Sequence, residues 1–421
     1  MNTIFYDLSE QFHASSVKFQ YYGIARTVME VGYELAQSDA DVRFVVFSPA
    51  HDRFFEVFPR FGDASPTGIC DPDLPAAAQP KRLRYSFPEP HAVRDVLYPI
   101  ARWVVRRICL WRWRAVPEGH ARLIDMTGKT LLSLGRPKML ADYLVAMEKA
   151  GVKMNFIPLL HDMIPFHHFP NATDEVFARN FAHDNAIVIR NARMLLTNSV
   201  FTKEDVESFS TSGHLPADLP KIIPVPLAHE FRPTAEVIHT PPPTAPYILC
   251  VGTMTGRKNL ECVVEALLLL HAQGCPVPQL VLAGAHRKRT QTYLNQPRFD
   301  PIRDRIIEHI NPNQAELGAL YENALALVIT SRMEGWGLPL GEAMWLGTPG
   351  FASTAPALKE VGGPFARYFD PDAPQDLANL IHTIHTDPDA RSEAQARTRA
   401  ARPKLRTWAR AAQDIIAAIN G

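Results

Sequence analysis

Short apolar runs rich in β-branched and aromatic residues alternate along the chain with longer stretches of helical period. In the first half, residues 2–7, 42–47, 122–126, 153–160 and 194–198 read as strands, and 24–37 and 138–150 as helices. The alternation resumes after residue 246 with strand 247–252, helix 260–272, strand 279–283, helix 314–323, strand 325–330 and helix 339–345. Strands that alternate with helices build mostly parallel sheets, because two parallel neighbours need a crossover of that length. The expected fold class is α/β, with two Rossmann-like domains facing across a cleft.

The proline-rich stretch PTAEVIHTPPPTAP at 233–246 has almost no apolar periodicity and reads as the linker between domains at 1–232 and 247–401, with a last helix over 402–421. Residues 66–90 are rich in Pro, Ala and Asp without a period, so a loop insertion is expected at about 62–92. The next stretch, 94–114, holds six arginines and three tryptophans. Its helical wheel separates Leu97, Ile100, Val104, Ile108 and Trp111 from Arg94, Arg102, Arg106 and Arg112, which predicts an amphipathic helix with a basic polar face over about 93–114. Two readings stand side by side: a helix lying on an anionic inner membrane through its arginines, or a core-packing helix whose arginines are solvated.

Composition narrows the function classes. The 421 residues carry 44 Lys+Arg against 44 Asp+Glu, which suits a folded protein of two or three domains and argues against nucleic-acid binding through overall basicity. Five scattered cysteines without a CxxC read as buried thiols in a reducing compartment, with neither disulfides nor a zinc site. Asp7 and Glu10 stand where a signal peptide would need a basic start and an apolar core, so a cytoplasmic protein is expected, peripheral on the membrane if the basic helix meets lipid.

The sharpest chemical signal is SRMEGWGLPLGEAMWLG at 331–347. A strand ends, a turn holds Gly335 and Gly337, Pro339 opens a helix and Gly347 closes it. The N–H groups of Gly337 and Leu338 then sit at a helix N-terminus, where aligned peptide dipoles favour an anion such as a diphosphate. Glu334 and Glu342 are placed to face one pocket, one meeting sugar hydroxyls and the other a ribose; the plainer reading makes them a turn cap and a first-turn charge.

This E-x7-E pattern, followed by Ala343-Met344 and Leu346-Gly347-Thr348-Pro349 and preceded by Val251-Gly252-Thr253 and Arg257-Lys258-Asn259, resembles the retaining GT-B glycosyltransferases of family 4. The resemblance is strongest over 247–370, and Glu360-Val361, Phe369-Asp370-Pro371 and a final helix around Trp408 extend it. It implies a nucleotide-sugar donor on the second domain, an acceptor on the first, and a last helix that crosses back to the first domain. Lys258 would reach the donor diphosphate with help from Arg257, since many relatives carry arginine where this chain has Thr253. Tyr22-Gly23-Ile24-Ala25-Arg26 resembles the family's Gly-Ile-x-Arg segment, bringing Gly23 to the donor and Arg26 to the acceptor side. His161-Asp162 resembles its His-Asp segment, with His161 as a catalytic contact beside Lys258 and Glu334, and Asp162 orienting the imidazole or turning the chain. The base would lie near His309 and Ile310, where relatives often have glycine in place of His309.

A front-face retaining reaction requires neither a nucleophilic carboxylate nor a cofactor, because the leaving diphosphate can take the acceptor proton. The strings Asp71-Pro72-Asp73, Asp370-Pro371-Asp372 and Asp387-Pro388-Asp389 read as proline turns, so no metal site is expected. The resemblance favours GDP-mannose as donor and a glycan or lipid-linked oligosaccharide of bacterial surface polysaccharide as acceptor. UDP- and dTDP-sugar donors, a same-fold epimerase or phosphorylase, and an inactive glycan-binding scaffold are the alternatives. A dinucleotide oxidoreductase is disfavoured, because no G-x-G-x-x-G follows a first strand.

Overall fold

The computed structural model describes residues 3–12, 23–169, 175–234, 236–252, 256–285 and 288–421. These fall into two compact units, one running to Phe166, continuing to Pro226 and including Trp408–Gly421, the other holding Leu227–Thr407 and residues 167–169.

The first unit contains β1 (Ile4–Asp7), β2 (Val42–Ser48), β3 (Arg53–Val57), β4 (Arg60–Phe61), β5 (Cys70–Asp71), β6 (Ala121–Ile124), β7 (Thr130–Ser133), β8 (Asn155–Leu160), β9 (Leu195–Thr197) and β10 (Ile222–Pro224). Its helices are α1 (Ser9–Phe12), α2 (Gly23–Ala36), α3 (Ala92–Trp113), α4 (Pro137–Lys149), α5 (Glu175–Asn191) and α6 (Val200–Thr211). Eight strands form one sheet in the order β10-β9-β8-β7-β1-β2-β3-β6, while β4 and β5 pair separately. The sheet is parallel except at one edge, where β3 runs antiparallel to β2 and β6, because only a short turn joins β2 to β3. Phe47, Phe54, Tyr143 and Phe156 pack with Leu131, Leu140 and Leu195 as its core.

The second unit contains β11 (Tyr247–Val251), β12 (Gln279–Gly284), β13 (Ile306–Ile310), β14 (Ala326–Ile329), β15 (Gly350–Ser353) and β16 (Arg367–Phe369). Its helices are α7 (Leu260–Ala272), α8 (Lys288–Leu294), α9 (Gln314–Asn323), α10 (Leu338–Trp345), α11 (Pro356–Gly362), α12 (Pro374–Thr386) and α13 (Pro388–Ala401). The all-parallel sheet runs β13-β12-β11-β14-β15-β16, the doubly wound 3-2-1-4-5-6 order. Its strands read as continuous apolar runs because helices cover both faces. The described residues of 233–246 contain no helix or strand, yet they are tied down: Glu316 Oε1 accepts from the backbone N–H groups of His239 and Thr240 at 3.1 and 2.9 Å.

The last helix, α14 (Trp408–Asn420), belongs to the first unit and packs on α2, with Trp408 fully buried.

Helix α3 reverses the expected arrangement of its faces. Arg102, Arg106 and Arg112 turn toward the body of the first unit and the apolar stripe toward solvent. Arg106 Nε donates to Ala50 O at 3.0 Å, Arg112 Nε to Gln79 O at 2.5 Å, and Arg102 lies 4.0 Å over the Tyr85 ring and 3.6 Å from Asp52 Oδ2. Val104 and Ile108 stay exposed with the rest of the stripe. The cause is chemical: loop carbonyls at Ala50, Ala76 and Gln79 need donors, and a guanidinium supplies up to five.

Candidate active site

In the second unit, β11 and β14 lie side by side where the strand order reverses, so the loops leaving their carboxyl ends run in opposite directions and open a crevice. The loop after β11 becomes the short turn Gly256–Lys258 and enters α7 at Asn259, whose φ of 52° is left-handed. The loop after β14 runs from Thr330 to Gly337 and enters α10. Thr330 Oγ1 donates to Lys258 O at 2.7 Å and Arg332 N to Arg257 O at 2.8 Å, which locks the two loops together.

Between these loops lies a three-residue charge cluster. Lys258 Nζ donates to Glu334 Oε1 at 2.5 Å, and Arg257 Nη1 donates to Glu334 Oε2 at 2.8 Å and to Met333 O at 2.9 Å. Burial pushes the Glu334 carboxyl up, but Arg257 and Lys258 overcome it and hold it at about 2. Burial also lowers the Lys258 ammonium, against the attraction of Glu334. Glu334 is therefore an ionised acceptor near neutral pH, suited to sugar hydroxyls and unsuited to donating a proton.

Gly337 caps α10 with φ 111°, and a β-carbon there would stand 2.5 Å from Leu358 Cδ2. Two constraints thus select glycine, and the Gly337 and Leu338 N–H groups lie at the start of the helix. Gly337→Ala is expected to cost about 1–3 kcal/mol, read as a lower urea midpoint; an unchanged midpoint would show that the cap relaxes freely.

Glu342 is buried in α10, and its Oε2 accepts from Tyr321 Oη of α9 at 2.8 Å. The structure thus gives the two glutamates of the motif different polar partners. His309, at the end of β13, is buried with Nε2 3.8 Å from Glu316 Oε2, while neighbouring Ile310 is exposed. Thr253 lies outside the described residues.

In the first unit the corresponding strand-order reversal falls between β1 and β7. Asp7 Oδ2 accepts from Ser133 Oγ at 2.7 Å, and Arg136 Nε donates to buried Glu10 Oε1 at 2.7 Å. His161, just past β8, is buried, and its Nε2 donates to Leu134 O at 2.7 Å. A carbonyl only accepts, so the proton is on Nε2 and Nδ1 is an acceptor; burial lowers the imidazole pKa and keeps it neutral. Leu134 O thus orients the ring, whereas Asp162 Oδ1 closes the following turn by accepting from Ile164 N at 3.1 Å. Gly23 begins α2 with φ 61°. Arg26, expected on the acceptor side, is 1% exposed and lies against Glu30, 3.6 Å from its carboxylate.

Each Asp-Pro-Asp string is an Asx turn: the first carboxylate accepts from the backbone N–H of the third residue at 2.8 to 3.0 Å. No group of side chains able to hold a metal ion occurs among the described residues.

Two residues of the second unit escaped the sequence reading. His229 Nε2 donates to Val361 O at 3.0 Å and its Nδ1 accepts from Arg406 N at 3.1 Å, while its ring meets Trp336 edge-on. Gly284 closes β12 so near β11 that a β-carbon would stand 2.5 Å from Gly252 O. Their partners lie far away in sequence, so no local pattern marks them.

Residues 231–401 match the family described as Glycosyl transferases group 1. That match takes in nearly all of the second unit. The Escherichia coli serotype-specific mannosyltransferase WbdA is 25% identical over 287 residues, covering 64% of this chain and 34% of that protein. The O-antigen chain mannosyltransferase B of the same organism is 32% identical over 144 residues, 34% of this chain and 37% of that protein. The chain thus spans about a third of the length of these curated relatives. Among solved structures, sucrose-phosphate synthase from Thermosynechococcus elongatus superposes with TM-score 0.63 at 17% identity, covering 100% of this chain and 98% of that one. Anabaena HepE, solved with UDP and glucose, gives 0.58 at 14% identity with complete coverage of both chains. The fold is GT-B.

Proposed function

We propose that this chain is a retaining glycosyltransferase that moves mannose from GDP-mannose to a glycan or lipid-linked oligosaccharide in bacterial surface polysaccharide synthesis. The observation that carries the reading is the Lys258–Glu334–Arg257 cluster at the strand-order reversal of the group 1 domain. A nucleoside diphosphate leaves with growing negative charge, which fixed cations and oriented N–H groups stabilise without having to reorganise. Lys258 and Arg257 supply the cations, and Gly337 and Leu338 the N–H groups, so the charge is met without a metal. Glu334 spaces the two cations and accepts from donor hydroxyls. His161, neutral and held by Leu134 O so that Nδ1 is the acceptor, positions the donor sugar or the acceptor. The diphosphate oxygen takes the acceptor proton as the new bond forms on the face it leaves.

Two curated relatives named as mannosyltransferases support mannose and, through it, GDP as the donor nucleotide. A lipid-linked acceptor would bring the enzyme to the cytoplasmic face of a membrane as a peripheral contact; among the described residues no helix is long and apolar enough to cross one.

Thermal unfolding with GDP, UDP, dTDP and ADP tests the donor. GDP alone is expected to raise the midpoint, on the order of 5 °C at a hundredfold excess over Kd, because a ligand that binds only the folded state stabilises it. A shift with UDP or dTDP instead reassigns the donor. Silence with all four would turn the reading to a glycan-binding scaffold.

A further inference from the structure

We infer that helix α3 seats this protein on a lipid bilayer through its apolar stripe, with its inward arginines serving to hold the helix on the protein. The inference rests on the peripheral membrane contact proposed above and specifies the face that makes it. Val93, Val96, Leu97, Ile100, Trp103 and Trp111 recur at three- and four-residue spacing on one side of the helix, and each is more than half exposed. With Val104 and Ile108, the helix contributes eight of the 16 exposed large apolar side chains among the described residues, a clustering that scattered surface hydrophobics do not produce.

The opposite side is fastened. Besides the bonds of Arg102, Arg106 and Arg112, Cys109 is buried with its thiol on Lys81 O at 3.5 Å, Tyr98 Oη donates to Arg84 O, and Trp113 packs 4.7 Å from Phe55. A polar face that satisfies the protein's own carbonyls leaves only the apolar face for a partner.

Dimensions and charge identify the partner. Twenty-two residues make a rod about 33 Å long, and one helix width gives a stripe of roughly 300 Å². A stable dimer needs about 800 Å² from each partner. A single in-plane helix instead suffices at a bilayer, where the apolar side sinks about 5–10 Å to the acyl boundary. Trp103 and Trp111 are of the type that favours that boundary, having an apolar ring with one polar N–H. Arg107 and Arg114 are exposed on the same side, Arg107 lying 5.4 Å over the Trp103 ring, where they would meet anionic headgroups.

The test is flotation with vesicles of phosphatidylethanolamine and phosphatidylglycerol. The full chain is expected to float, and Ile100→Glu with Trp111→Glu to reduce binding at least about tenfold, since two charges replace two inserted apolar groups. Both sites are over 60% exposed, so the nucleotide-induced rise in melting temperature serves as a folding and donor-site control that the variant leaves in place. Arg107→Ala with Arg114→Ala should cost less, and high salt should leave most of the binding. Unchanged flotation of the double glutamate variant, with loss in high salt, overturns the apolar seat while keeping a membrane contact. No flotation of the unmodified chain removes the membrane contact itself, and the nucleotide shift then still judges the transferase reading. A dimer by light scattering that the glutamates dissociate would assign the stripe to a second copy and overturn the inference.

Discussion

Replacing Lys258 with alanine is expected to slow sugar transfer about a thousandfold, a loss on the order of 4 kcal/mol of transition-state stabilisation. The partly buried ammonium donates to the Glu334 carboxylate at 2.5 Å, which fixes its position before any donor arrives. A cation already in place and partly stripped of water acts most strongly on charge that appears only as the glycosidic bond breaks. The loss should therefore fall more on kcat than on KM for the donor. Arg257 keeps its bonds to Glu334 and Met333 O in the variant, so the site retains one cation and the second unit should stay folded. Lys258→Arg restores charge without the compact geometry and should recover only part of the rate. Activity within tenfold of the unmodified enzyme after Lys258→Ala would show that the leaving diphosphate is met elsewhere.

Much of this fold can be read from periodicity alone, and the reason is visible in particular elements. Helices α7 and α9 begin and end at the predicted residues, and local boundaries mark them: Asn313 and Glu316 form a reciprocal capping box at the start of α9, and Gly274, with a φ of 69°, closes the turn that ends α7. Strands β11, β12 and β14 stand out because burial on both faces makes them unbroken apolar runs. What periodicity cannot supply is which side of an amphipathic helix meets the protein. In α3 the wheel separated apolar residues from arginines correctly, but the usual rule that the apolar side packs inward fails because unpaired loop carbonyls compete for the guanidinium groups. The charge cluster was legible as residue types at a spacing, whereas its pairing was not. Nothing local announces that Glu334 would hold both Arg257 and Lys258 across more than seventy residues, or that Glu342 would accept from Tyr321. His229 and Gly284 lay beyond reach for the same reason, since their roles are set by backbone atoms that only the fold brings near.

Glu334→Gln should lower the stability of the second unit by about 2 kcal/mol at pH 7 and remove a step from its acid unfolding curve. The carboxyl titrates near 4.5 when exposed and is held at about 2 in the folded chain, so its ion pairs contribute fully above pH 4.5 and are lost as pH falls toward 2. That depression alone corresponds to about 3 kcal/mol, and the lowered Lys258 pKa offsets part of it, because burial there costs the ammonium more than Glu334 returns. Urea unfolding at stepped pH therefore separates the two proteins: the unmodified chain loses stability through this window and the variant changes less. Equal slopes would mean that the cluster is solvated and contributes little. Transfer should also fall, about a hundredfold, since an amide neither holds both cations nor accepts as strongly from a sugar hydroxyl. Its dependence on pH carries a further consequence. A carboxyl held at about 2 in the folded chain has no proton to give near neutrality, so no limb of the pH–rate profile between pH 5 and 8 should vanish in Glu334→Gln. A limb that did vanish would make Glu334 the proton donor and require a reaction different from one in which the leaving diphosphate accepts the acceptor's proton.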